Sequence, residues 1–351
     1  MKPPAAAPAE RLVSVRAETP VAFVQGLLLA YSRRGLSPDA MLQLAQITPS
    51  ILKKPDGCVT ALQFELASGL AMQELDDEAL GWFERPLPWG SYGMLVRASL
   101  TAPTLGLALT RWCRHHNLLT HSIQLQLTLR DGLATIALQE LVDLGALREF
   151  CIVSVLRNAL GVACWLSDSR IVLGGTTLRY AAPAHQNSYR VLFDGHCHFN
   201  AERNSLQFDA GYLALPLRRD EAALQRMLER ALLLTVRPYR RDRLLVEKVR
   251  QTLAQFPRET RRAEDLAERL NLSVRTLHRQ LKDEGSSLQQ LKDAVRRDLA
   301  LDLLNRSQRP LKQIADALGF KSEKSFIRAF RSWTGQTPDA YRVQRAPAPG
   351  A

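Results

Sequence analysis

One pattern in the C-terminal third occurs twice, and it restricts the possible folds more than any other feature of the chain. Residues 266–273 (LAERLNLS) align with residues 314–321 (IADALGFK) at an offset of 48. Each copy predicts a helix, a tight turn and a second helix. Ala267 and Ala315 are small where two helices must cross closely. Gly319 suits a left-handed turn, a conformation that Asn271 tolerates next best. The sequence therefore predicts two helix-turn-helix units.

The second helix of each copy has an apolar and a basic face. Its inward positions recur at helical spacing: Val274, Leu277 and Leu281 in the first copy, and Phe326, Ala329, Phe330 and Trp333 in the second. The opposite face carries Arg275, His278 and Arg279 in one copy, and Lys324, Arg328 and Arg331, with Glu323 and Ile327 beside them, in the other. Ser273 and Ser322 are placed to cap these helices, whose N-termini favour phosphate.

A basic helix face has two interpretations. One such face alone is more often simply solvated. Two copies with matched small residues, turns and basic faces instead favour recognition helices that lie in the major groove of DNA. Between the copies, apolar residues from Leu288 to Leu303 predict one connecting helix. About 18 residues at ~1.5 Å each span ~27 Å, which suits recognition helices roughly one DNA turn, ~34 Å, apart.

The charge distribution agrees with a polyanionic partner. The chain of 351 residues has a formal charge of +12, and residues 241–351 hold 23 Lys and Arg against 14 Asp and Glu, a net of +9. A basic domain beside a nearly neutral one indicates a polyanion, although charge alone does not separate DNA from RNA or an acidic membrane.

The rest of the chain predicts an α+β protein: an N-terminal mixed α/β domain plus an all-α C-terminal domain. Helical spacing begins at Pro20, and strict alternation over 122–129, a turn at Asp131-Gly132 and a return strand predict a β-hairpin. Further helices are expected at about 103–117 and 144–166, and further strands at 176–180 and 205–208. Gly174-Gly175 is interpreted as a turn.

These patterns set the expected domain boundaries. We expect a disordered tail at 1–18, the mixed α/β domain at 19–220, a linker region at 221–241, the domain with the two helix-turn-helix units at 242–343 and a disordered tail at 344–351. Pro238 marks either a domain boundary or a kink between packed helices, and the sequence leaves both open.

The cysteines and the N-terminus indicate a cytoplasmic protein. Five scattered cysteines without a CxxC pair fit reduced thiols. The N-terminus has no apolar segment typical of a signal peptide. The stretch Phe150–Leu166 is broken by Arg157 and is judged too short for a membrane span, so it predicts a core helix.

Other candidate sites are discounted. His196-Cys197-His198 and His115-His116 each lack a full set of metal ligands, so no metal is expected. Trp82, Trp89 and Trp112 are either core residues or the lining of a ligand pocket. No catalytic residues and no cofactor are expected, so the chain is interpreted as a binding protein rather than an enzyme.

Residues 314–320 and 325–342 (SFIRAFRSWTGQTPDAYR) closely resemble the signature of AraC/XylS-type regulators, a resemblance that covers about 242–343. It implies transcription regulation, with base or phosphate contacts from the helix starts. The candidate DNA-binding residues are Ser273, Arg275, Thr276, His278, Arg279, Ser322, Glu323, Lys324, Ser325 and Arg328.

The N-terminal domain resembles the arabinose-binding-like sensor domain of the ornithine-utilisation type of AraC regulator. The similar stretches are 89–93 (WGSYG), 104–109 (TLGLAL), 199–208 (FNAERNSLQF) and 215–217 (LPL). The resemblance implies effector sensing and dimerisation. The expected partners are double-stranded promoter DNA, RNA polymerase, a small-molecule effector of unknown identity and a second copy of the chain, with the protein at the nucleoid. A constitutive DNA-binding protein whose N-terminal domain only dimerises remains the alternative.

Overall fold

The computed structural model describes residues 17–54, 56–193, 197–229 and 242–345. They belong to two compact units, Met1–Arg240 and Arg241–Ala351. The described residues exclude most of the two predicted tails and His196. They also exclude residues 230–241, which include Pro238. At the edges of the predicted tails, Ala17 and Glu18 belong to a strand, and residues 344 and 345 belong to a helix.

The first unit mixes helices and strands. Its helices are α1 Val21–Arg33, α2 Asp39–Leu44, α3 Pro49–Leu52, α4 Ala61–Glu74, α5 Ser91–Leu100, α6 Leu105–Leu119, α7 Arg148–Ser167, α8 Tyr189–Leu192 and α9 Glu221–Leu228. Its strands are β1 Ala17–Pro20, β2 Cys58–Thr60, β3 Ile123–Arg130, β4 Leu133–Glu140, β5 Leu173–Thr177, β6 Cys197–His198 and β7 Asn204–Asp209. Helix α9 falls in the region that the sequence analysis assigned to the linker.

A five-stranded sheet with the order β3-β4-β7-β5-β6 forms one layer of this unit, and β1 and β2 pair separately. The predicted β3–β4 hairpin is confirmed, with Arg130 opposite Leu133. Asp131 and Gly132 have φ values of 51° and 75°, as a tight hairpin turn with two left-handed residues requires.

Strand β5 lies earlier than predicted. Residues 174 and 175, interpreted as a turn, lie inside β5, where the pairing with β7 shifts between Leu173 and Gly175. That interpretation was wrong because glycine in a strand often marks such a bulge. Leu178 to Tyr180, expected to be strand, lie beyond the end of β5.

Helix α7 is the core helix that the sequence predicts. Between Phe150 and Ser167 nearly every side chain is buried. The helix is longer than predicted, however: with the preceding 3₁₀ turn, Gly145–Ser167 spans 23 residues and is long and apolar enough to cross a membrane, so the prediction that it is too short was wrong. Because 89% of its apolar window is buried inside the protein, it is accounted for as the centre of the first unit.

The second unit is wholly helical in its described residues. Its helices are α10 Leu244–Gln255, α11 Ala263–Arg269, α12 Val274–Asp283, α13 Leu288–Arg306, α14 Leu311–Ala317, α15 Glu323–Thr334 and α16 Pro338–Arg345. One apolar core joins α10, α11 and α12 to the first half of α13, and a second joins α14, α15 and α16 to its second half. The predicted α+β fold class, with two helical units on one connecting helix, is confirmed.

A half-buried carboxylate between α12 and α10 predicts a pH dependence of stability. Glu284 accepts the N–H of Val246 at 2.9 Å, and burial raises its pKa from 4.5 to about 7. The folded protein therefore holds this proton more tightly than the unfolded chain, so stability falls as pH rises from about 4.5 to about 7. The wild type should lose stability between pH 5 and pH 8, whereas Glu284→Gln lacks this titrating group. We therefore expect the unfolding midpoint of Glu284→Gln, relative to that of the wild type, to be higher at pH 8 than at pH 5. Parallel midpoint curves for the two proteins would contradict this.

Candidate nucleic-acid interface

The two predicted turns have the same geometry. Asn271 and Gly319 have φ values of 53° and 73°, both left-handed. The N–H of Leu272 donates to Ala267 at 2.9 Å, and the N–H of Phe320 donates to the matching Ala315, also at 2.9 Å. The repeat is therefore a structural repeat, and asparagine takes the place of glycine in the first turn.

The second helix of each unit, α12 or α15, is anchored by its apolar face. Leu277 and Leu281 are fully buried in the first core, as are Phe326 and Phe330 in the second. Trp333 is half-buried and packs on Phe320, with ring centroids 6.0 Å apart. The predicted inner faces thus hold α12 and α15 in a fixed rotation, which determines the side chains that point outward.

Serine caps both of these helices. Ser273 Oγ accepts the N–H of Thr276 at 3.1 Å, and Ser322 Oγ accepts the N–H of Ser325 at 3.2 Å. Ser325 Oγ donates in return to the Ser322 carbonyl at 2.6 Å. Each cap satisfies one of the free N–H groups of the first turn and leaves others able to receive a phosphate. Four of the candidate DNA-binding residues thus also shape the helix starts.

The outward faces carry basic side chains that no acidic side chain pairs with. Arg275, His278 and Arg279 on α12, and Lys324 and Arg328 on α15, are exposed. So are the neighbouring Lys321 and Arg331. Within the described ranges none of them forms an ion pair. Glu323, the one acid among the candidates, is half-buried in the first turn of α15, where the helix dipole favours it.

Arginines elsewhere in the second unit behave differently. Arg258 and Arg261 both pair with Asp316, Arg297 pairs with Asp298, and Arg306 pairs with Asp302. These arginines have acidic partners, whereas the arginines and lysines on the two outward helix faces remain available to a polyanion.

The connecting helix α13 does more than separate the two helix-turn-helix units, and its sequence did not predict this further role. Lys292 Nζ donates to the Arg261 carbonyl at 2.7 Å. The Arg296 guanidinium lies 4.8 Å from the centroid of the Phe320 ring and donates to the Gly319 carbonyl at 3.5 Å. Burial lowers the pKa of both Lys292 and Arg296. These basic residues, four apart on α13, connect the helix to the loop before α11 and to the turn of the second helix-turn-helix.

The discounted motifs belong to the first unit, whereas the candidate interface belongs to the second. Within the ranges that the structure covers, no group of three or more His, Cys, Asp or Glu is placed to hold a metal. Burial lowers the pKa of His116 to about 4, and all five cysteines are free. Trp112 is a core residue, whereas Trp82 and Trp89 line a cavity of the first unit.

Comparison with known proteins decides the family. Residues 35–217, more than half of the chain, match the family described as the arabinose-binding domain of AraC transcription regulator, N-term. Residues 266–344 match a helix-turn-helix domain family. The chain belongs to the AraC-type transcriptional regulators. As an AraC-type regulator it is a DNA-binding protein that acts on double-stranded DNA, and its two family matches fall in its two compact units.

Relatives of this AraC-type regulator match it over different shares of its length. It is 31% identical over 327 residues to the ornithine utilization regulator of Pseudomonas aeruginosa, across 92% of this chain and 96% of that protein. It is 41% identical over 76 residues to the HTH-type transcriptional regulator VqsM of the same species, across 22% and 23% of the two chains.

Two similar solved structures are also regulators. The transcriptional regulator CdpR from Pseudomonas aeruginosa is 19% identical, with coverage of 92% of this chain and 98% of that one and a TM-score of 0.34. The DNA-binding domain of AdpA, solved in complex with a target DNA, is 33% identical, with coverage of 30% and 97% and a TM-score of 0.27.

Proposed function

We propose that this regulator reads promoter DNA with the outward faces of α12 and α15. The observation that carries the proposal is the pair of matched, serine-capped helices whose exposed cations lack acidic partners, held in one helical unit. Arginine suits the guanine edge in the major groove, and lysine, serine and helix N-termini suit phosphate. The proposed DNA contacts are Ser273, Arg275, Thr276, His278, Arg279, Ser322, Glu323, Lys324, Ser325 and Arg328.

The proposed role of the first unit is control. We propose that a small-molecule effector binds it and changes how the second unit engages a promoter and RNA polymerase, in the cytoplasm at the nucleoid. We further propose that two copies associate, so that their four recognition helices read paired or repeated half-sites. The family match of residues 35–217 to an arabinose-binding domain supports the effector, and no catalytic chemistry is proposed for either unit.

Arg328→Ala and Lys321→Ala form a matched test, since both remove one exposed cation near the start of α15. We expect Arg328→Ala to lower the ratio of specific to non-specific affinity by about 5- to 150-fold, or 1–3 kcal/mol, because it loses a base contact. Lys321→Ala should weaken binding to all sequences alike and reduce the salt slope by about one.

The measurement is fluorescence anisotropy at two salt concentrations. It compares the DNA upstream of the protein's own gene with a scrambled duplex of equal length and composition. If Arg328→Ala leaves the ratio unchanged, α15 reads DNA through another face. If the wild type binds both duplexes with equal affinity, the proposed sequence-specific reading of this upstream DNA is wrong. Binding would then be the steeply salt-dependent attraction to any DNA sequence.

A further inference from the structure

The first unit contains a cavity of about 320 Å³. Side chains from α1, α4, α5, α7 and α9 and from the loop before α5 line it, and most are apolar, among them Phe23, Phe64, Leu80, Val96 and Phe150. An apolar cavity of ~150 Å³ holds benzene. This cavity is roughly twice as large and would therefore hold about a dozen non-hydrogen atoms.

Two polar side chains of the core helix α7 face this cavity. Between Phe150 and Ser167, Ser154 and Asn158 are the residues that are not buried, and both line the cavity. They lie one turn apart and so share a helix face. Neither side chain has a hydrogen-bond partner among the described residues. Both are half-buried, so their hydroxyl and amide groups are free to bind a molecule that enters the cavity.

Two more polar groups belong to residues that line the cavity. Ser68 Oγ and Trp82 Nε1 are buried and have no hydrogen-bond partner among the described residues. The indole N–H is a donor only, whereas hydroxyl and amide groups both donate and accept. An occupant that complements this set carries an uncharged polar group able to accept, such as a hydroxyl or a carbonyl.

The ionisable groups of the cavity wall are already engaged. Glu78 accepts the N–H of Gly90 at 2.8 Å and the N–H of Tyr92 at 2.7 Å. Arg97 makes three hydrogen bonds to Glu221, the shortest 2.7 Å long, and Arg157 also has a partner. A charged ligand would lose its hydration without gaining a matching counter-ion, which is unfavourable.

We propose that this cavity is a binding site for an uncharged, largely apolar molecule of about a dozen non-hydrogen atoms, whose hydroxyl or carbonyl group hydrogen-bonds to Ser154 and Asn158. The inference rests on the proposed effector control and names the effector's chemical class. A free amino acid such as L-ornithine, with three ionised groups, does not suit this lining.

Helix α9 gives such a ligand a route to the second unit. Met227 and Leu228 form part of the cavity wall. A Cβ added at Gly93 on α5 would lie 3.1 Å from Leu228, so α9 is closely seated there. Helix α9 is the last described element before the chain continues into the second unit. A ligand that packs on Met227 and Leu228 therefore acts on the segment that leads to the DNA-binding helices.

The test uses the full-length protein and 4-phenyl-1-butanol, which has eleven non-hydrogen atoms and one hydroxyl group. Binding is followed by intrinsic fluorescence, because Trp82 and Trp89 line the cavity. We expect saturable binding that Asn158→Leu weakens about tenfold or more, since one hydrogen bond and part of the volume are lost. Asn187→Leu, the same change at an exposed position outside the cavity, should bind like wild type. If Asn158→Leu fails to fold, Ser154→Ala is the deciding variant.

Two charged probes test the ligand class. 4-Phenylbutanoate, with a carboxylate in place of the terminal CH₂OH group, and L-ornithine should each bind about tenfold or more weakly than the alcohol. The proposal is overturned if the alcohol does not bind saturably, if Asn158→Leu binds it like wild type, or if a charged probe binds more tightly through Asn158.

Promoter binding without any probe separates this inference from the proposed function. Specific DNA binding together with no alcohol binding would overturn the cavity proposal alone. Alcohol binding together with no specific DNA binding would overturn the proposed DNA reading alone. Saturating alcohol should also change the promoter affinity of wild type and Asn187→Leu by about fivefold or more, but not that of Asn158→Leu. An unchanged affinity would overturn the route through α9.

Discussion

Gly319→Ala is expected to unfold the second helix-turn-helix unit or to weaken it by at least about 3 kcal/mol. Gly319 has a φ of 73°, which costs any residue with a side chain roughly 1–2 kcal/mol. In addition, a Cβ at this position would lie 2.2 Å from the carbonyl oxygen of Pro257. That neighbour is backbone, so it cannot rotate away, and the turn between α14 and α15 would have to move.

Gly335→Ala is the matched control, because it isolates the backbone conformation from the collision. Gly335 has a φ of 80°, and a Cβ added there would meet no atom within 4 Å. We expect it to cost only about 1–2 kcal/mol. Urea unfolding of both variants, with promoter affinity as a second readout, compares them. Equal losses would mean that the turn does not approach Pro257 in solution.

Asp77→Asn is expected to destabilise the first unit by about 3 kcal/mol, although it changes no side-chain volume. Asp77 is 1% exposed, and its two oxygens accept four hydrogen bonds. The donors are the N–H groups of Ala79, Gly81 and Leu87, at 2.8 to 2.9 Å, and the guanidinium of Arg34 at 2.8 Å. Because both oxygens are fully used, an amide NH₂ in place of either one faces a donor and leaves that donor unpaired.

Asp76→Asn is the isosteric control one residue earlier. Asp76 is exposed and accepts one hydrogen bond, from the N–H of Trp89 at 2.9 Å, which an asparagine oxygen can also accept. Asparagine also tolerates its left-handed φ of 44°. We expect a change within about 0.5 kcal/mol. The two variants are compared by thermal unfolding of the full chain monitored by tryptophan fluorescence, and similar midpoints would mean that the Asp77 network is not formed.

The features that the sequence predicted correctly are those specified by nearby residues. A serine cap, a left-handed turn at Asn271 or Gly319 and a hairpin at Asp131-Gly132 each depend on two to four neighbours along the chain. Helical spacing likewise separates the buried Leu277 and Phe326 from the exposed Arg279 and Arg328. The outward faces that we propose to read DNA could therefore be named from the sequence alone.

The features that the sequence did not predict depend on partners far along the chain. Strand β5 includes residues 174 and 175 because β7, about 30 residues later, pairs with it. The roles of Lys292 and Arg296 depend on the loop before α11 and on the second turn. Periodicity places Ser154 and Asn158 on one face of α7, but it cannot show that this face borders a cavity. Asp77 accepts hydrogen bonds from the N–H groups of a loop whose sequence has no regular hydrophobic spacing.

The ties that α13 makes through Lys292 and Arg296, together with the contact of Gly319 on Pro257, have a consequence for the DNA that this protein can occupy. Each base pair inserted between the two recognised segments rotates one of them by about 34° relative to the other. The second helix-turn-helix is held both at its turn and along the connecting helix. It therefore cannot rotate relative to the first helix-turn-helix to match the rotated DNA segment. Under the proposed reading by α12 and α15, we expect binding sites to diverge base by base within each segment and to keep a fixed number of base pairs between the segments.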